Sequence, residues 1–149
     1  MDGRELSDLI GQRWSTLREL IDIGNRQITA IDAGRMSDLM RLLSEKQSPL
    51  NQLTEIAAMI RIAADDDPKA RTWESEQARV ACRDQQEECE KMHLELLAIE
   101  AECETALTNS RASIQQKLDR VDAGRQAATS YAHSHATPTS GGRLDLSSD

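Results

Sequence analysis

The sequence predicts an all-α protein: an elongated antiparallel bundle of about three long helices, the second kinked at Pro49, with a flexible C-terminal tail. Three observations predict it. From Ile10 to Ala64 an apolar residue recurs every three or four positions, interrupted only by Asp32-Ala33-Gly34-Arg35. Only an α-helix gathers residues so spaced onto one face. Aromatic residues are 2% of the 149, with no Phe, so the residues that sheets and α/β cores draw on are scarce. Hydrophobic residues are 38% of the chain, which suits a thin aliphatic seam better than a deep core.

The first helix is expected from about Leu6 to Ile31, with Ile10, Trp14, Leu17, Ile21, Gly24, Ile28 and Ile31 as its seam. Gly34 supplies a C-terminal stop, and Ser37 or Ser37-Asp38 an N-cap for the second helix. The second seam reads Met36, Leu39, Leu43, Lys46, Leu50, Leu53, Ala57, Ile60 and Ala64. Ser48-Pro49 has the form of a new helix start, but the apolar phase runs unbroken through it, which favours one helix kinked near Glu45–Pro49. Asp65-Asp66-Asp67-Pro68 marks the next boundary: Asp67 can cap, and Pro68 suits a first helical position.

The third helix then meets no Gly or Pro until Gly124, and its pattern lasts to about Tyr131. Some sixty residues at ~1.5 Å rise give about 90 Å, about twice the reach of either earlier helix. Part of its seam is therefore expected to bend, lie exposed or meet another molecule. Residues 83–91 are almost wholly polar, and the seam resumes as Met92, Leu96, Ile99, Cys103, Leu107, Ile114, Leu118, Val121 and Ala128. Extra steps of four exclude a strict heptad there. Residues 1–131 read as one helical domain and 132–149 as a mobile tail, whose Leu144 and Leu146 form either a docking motif or a chance pair.

Charge and composition exclude several functions. The net charge of −8 sits in residues 65–104, which hold 13 acids against 5 bases. Clustered bases with stacking aromatics are missing, so nucleic acid is not an expected partner. No apolar run approaches the eighteen or so residues of a membrane span, and three cysteines fit a reducing cytosol. No glycine-rich phosphate loop or nucleophile system accompanies the glutamates of the third helix, so catalysis is not expected. Cys82, Cys89 and Cys103 recur at multiples of seven and share a face. Cys89 and His93, four apart, could serve as metal ligands, but Cys89 and Cys103 stand about 21 Å apart along a helix. Small residues filling a seam is the preferred reading, with no metal and no cofactor. His133 and His135 could chelate only weakly. Lys46, among seam leucines, either snorkels to solvent or pairs with an acid on a neighbouring helix or a partner.

Residues 28–53 resemble the FlgN-type flagellar export chaperones. The likeness lies in a long first helix, a short break, then Leu42-Leu43-x-x-Lys46 followed by Leu50-x-x-Leu53. Asn109, Ile114, Leu118 and Val121 resemble that family's last amphipathic helix, which ends near a tyrosine, here Tyr131. The resemblance implies a cytoplasmic type III export chaperone. Such a protein binds hook–filament junction subunits, prevents their early assembly and delivers them to the export apparatus. The face expected to take the client helix is Leu96, Ile99, Leu107, Ile114, Leu118 and Val121, with Tyr131 contacting the export gate. The alternative is a coiled-coil scaffold that self-associates through the same seams.

Overall fold

A computed structural model describes the backbone through Ser148 and the side chains through His133. The structure divides into two units, Met1–Thr108 and Asn109–Asp149. All regular structure among the described residues is helical: α1 spans Gly3–Asp32, α2 Met36–Ala64, and α3 Glu76–Ser148, with one 3-10 turn at Pro68–Ala70. The backbone of the expected tail continues α3 as far as Ser148, while its side chains after His133, those of His135, Leu144 and Leu146 among them, lie outside the described residues.

α1 begins three residues before the expected Leu6. Asp2 and Glu5 form a capping box, in which each side chain accepts from the other's backbone N–H, satisfying two donors the first turn would otherwise leave orphaned. At the other end Gly34 stops the helix as expected. It adopts φ +70°, and the amides of Gly34 and Arg35 donate back to the carbonyls of Ile31 and Ala30. That pair of bonds is a Schellman turn, which needs a left-handed residue where glycine carries no Cβ penalty.

α2 is one continuous helix with Pro49 inside it. Ser37 and Asp38 do not cap it. The Schellman turn feeds the chain straight into Met36, so Arg35 occupies the cap position without a side-chain bond. Asp38 instead lies in the first turn and pairs with Arg41 at 3.4 Å. The buried stripe of α2 is Leu39, Leu42, Lys46, Pro49, Ile56 and Ala63, one position away from the stripe expected at several turns. Leu43 and Leu50 sit on its flank, half-buried.

α3 does not start at Pro68. Asp67 accepts from the Lys69 amide, but the turn it caps ends at Ala70. The chain then delivers Thr72 and Trp73 to the start of α1, where the Gly3 amide donates to the Thr72 carbonyl at 2.8 Å. Trp73 lies so close over Gly3 that any Cβ there would collide with its ring. Arg71 closes the link by donating to the Ala63 carbonyl at the end of α2. Only after that does Ser75 cap α3, accepting from the Ala78 amide.

Within the first unit, α2 returns antiparallel to α1 and α3 runs parallel to it. Arg26 of α1 meets Glu45 of α2, whereas the Cys89 and Cys103 thiols donate to the Ile10 and Gly24 carbonyls, both 79 residues back. Two contacts fourteen residues apart with one offset mean a register held over two heptads. The buried positions of α3 (Cys82, Cys89, Met92, Leu96, Ile99, Cys103) step by seven and then alternately by three and four, the geometry of knobs-into-holes bundles.

Candidate partner-binding surface

The six residues expected to form one client-binding face do not form one. Leu96 and Ile99 belong to the bundle's own core, 6% and 7% exposed. Leu96 packs in one cluster with Ile10, Leu17 and Leu20, and Ile99 in another with Ile23, Ile31 and Leu42. They are therefore withdrawn from any partner-binding role: α1 runs parallel beside α3 and covers them. Leu107 is half-buried against the second cluster. Ile114, Leu118 and Val121 are 50–55% exposed, and Tyr131 is at the surface.

The pattern changes where exposure changes. Three-four spacing from Cys82 holds to Ala106, and the exposed stripe falls on Ile114, Leu118 and Val121. The step from Cys103 to Leu107 is a four where the repeat calls for a three, a stutter that ends the strict heptad. The exposed stripe lies in the second unit, Asn109–Asp149. Arg111 and Arg125 stand seven residues to either side of Leu118, within the stripe's own arc.

No family model, no curated protein and no solved structure matches this chain. The geometry must therefore carry the functional reading.

Lys46 is 7% exposed and its ammonium pairs with the Glu100 carboxylate of α3. Of its two readings, pairing with a neighbouring helix is the one realised, and the lysine is spent inside the bundle. The cysteines fill the α1–α3 seam, all three buried and free. Burial pushes the Cys89 and Cys103 thiols above their ordinary value, with neighbouring glutamates adding to the rise. Thiols so placed stay protonated and are poor nucleophiles. Cys89 is fully buried while His93 on the next turn is exposed, so their four-residue spacing does not produce a shared site. Among the described residues no group of three or more His, Cys, Asp or Glu could hold a metal ion. No helix among them is long and apolar enough to cross a membrane.

Sequence reasoning missed a second surface. Arg13 of α1, Arg61 of α2 and His93 of α3 line one groove of about 340 Å³, together with Leu53, Thr54, Ala57 and Ala58 of α2. The signal was present at Arg13, which stands midway between the buried seam residues Ile10 and Leu17, but helical periodicity alone does not reveal which helices will converge.

Proposed function

We propose that this protein is a non-enzymatic, cytoplasmic export chaperone that sequesters an amphipathic helix of a flagellar hook–filament junction subunit and hands it to the export apparatus. The observation that carries this reading is the exposed stripe Ile114, Leu118 and Val121 of the second unit. Isolated exposed leucines are ordinary, but three apolar residues at helical spacing form a strip that another helix can cover. The client class rests on the resemblance of residues 28–53 and 109–131 to FlgN-type chaperones. Covering such a strip buries apolar area on both partners, so the client can be held without nucleotide.

Self-association through the stripe is the competing reading, and the arginines weigh against it. Parallel in-register pairing sets Arg111 against Arg111. Antiparallel pairing centred on Leu118 sets Arg111 against Arg125. Like charges facing across a helical interface are disfavoured. Titration of the full chain with peptides covering the terminal helices of junction subunits tests the proposal. One-to-one binding that is lost in Leu118→Asp supports it. Absence of binding, together with a concentration-dependent dimer lost in the same variant, supports the scaffold.

A further inference from the structure

We infer that the groove between α2 and α3 is a second docking site, independent of the distal stripe, and that its occupant is an acidic amphipathic helix of a partner protein. Residues 1–108 carry 22 acidic against 13 basic residues. Five of those thirteen bases pair with a carboxylate: Arg26, Arg41, Lys46, Arg79 and Arg83. Arg13 and Arg61 are among the eight that make no ion pair among the described residues, and three different helices bring them and His93 to one groove whose lining holds no carboxylate. Glu90, one turn before His93, does not line it. The positive charge at this mouth is therefore left to an incoming anion.

The floor decides what kind of anion. Leu53, Thr54, Ala57 and Ala58 of α2 line the groove, and at the two alanines a second helix backbone can approach closely. Leu97, 53% exposed and one turn beyond His93 on α3, extends the apolar surface. A small polar anion would satisfy the cations and waste the floor; a neutral apolar helix would cover the floor and leave the cations unmatched. A helix with an apolar stripe flanked by glutamates does both.

The test is fluorescence anisotropy of the full chain with a labelled twenty-residue Leu/Ala helix bearing Glu beside its apolar stripe, against a twin with every Glu changed to Gln. At low salt the Glu peptide should bind about tenfold more tightly, the advantage shrinking as salt rises. Arg13→Gln and Arg61→Gln should each weaken it several-fold. Arg61→Glu, an exposed change with little demand on folding, should shift preference towards a Lys-bearing twin. Leu118→Asp should leave binding intact, which separates this site from the proposed client stripe. Equal affinity for the Glu and Gln peptides, indifference to Arg61→Glu, or loss of binding in Leu118→Asp would each overturn the inference.

Discussion

The Cγ2 methyl of Ile99 lies 2.5 Å from the point where a Cβ on Gly24 would stand. No ordinary contact is that short, so glycine at this position is what lets α3 approach α1. Gly24→Ala should therefore destabilise the bundle despite alanine's higher helix propensity, by about 1–3 kcal/mol for an overpacked seam. Gly11 is the control. It lies in the same helix, and the nearest atom to its added Cβ is Gln85 Oε1 at 4.0 Å. Gly11→Ala should stabilise by up to about 1 kcal/mol. Urea unfolding of the two variants must move in opposite directions.

Lys46 and Glu100 make a pair of unequal burial, with side chains 9% and 39% exposed. Glu100→Ala leaves a buried ammonium without its carboxylate and should cost about 1–2 kcal/mol, moderated by the solvent at the glutamate's side. Lys46→Met keeps the packed stem and removes the need for a counter-charge, so it should be neutral or stabilising. Thermal melts of both variants and the double variant would show whether the pair stabilises the fold or merely satisfies a lysine.

The thiols give a reading of bundle opening. With Cys82, Cys89 and Cys103 all buried, Ellman's reagent should react slowly in buffer and with all three thiols in denaturant. Raised thiol values also make stability pH-dependent. The folded bundle holds the Cys89 and Cys103 protons above the ordinary 9.0, where the unfolded chain has released them. Their contribution is complete below that value and is lost as pH climbs through the raised folded values. The urea midpoint should fall between pH 8 and pH 10 more steeply in the wild type than in Cys89→Ala/Cys103→Ala.

Local signals in the sequence were legible and long-range ones were not. Gly34 announced the end of α1 because a Schellman turn is decided within six residues. Lys46 stood out because it interrupts a row of leucines. The phase of α2 was read one position off because Leu42 and Leu43 are adjacent and either could lead the stripe; only packing against α1 and α3 together chooses Leu42. The start of α3 was misplaced because Asp67-Pro68 is a sound local start, and what delays the helix to Glu76 is Trp73 reaching Gly3, a contact no window of sequence contains. Leu96 and Ile99 were assigned to a partner for the same reason: an apolar stripe carries no mark of whose helix will cover it.

Leu118 and Leu96 offer the most direct measurement. Each is changed to Ala in the full chain, and the variants are compared by urea unfolding and by binding of a junction-subunit helix peptide. The account predicts that Leu96→Ala costs about 2–5 kcal/mol of stability, while Leu118→Ala leaves the unfolding midpoint in place and weakens peptide binding. A loss of stability in Leu118→Ala equal to that of Leu96→Ala would contradict it, since the distal stripe would then be part of the chain's own core.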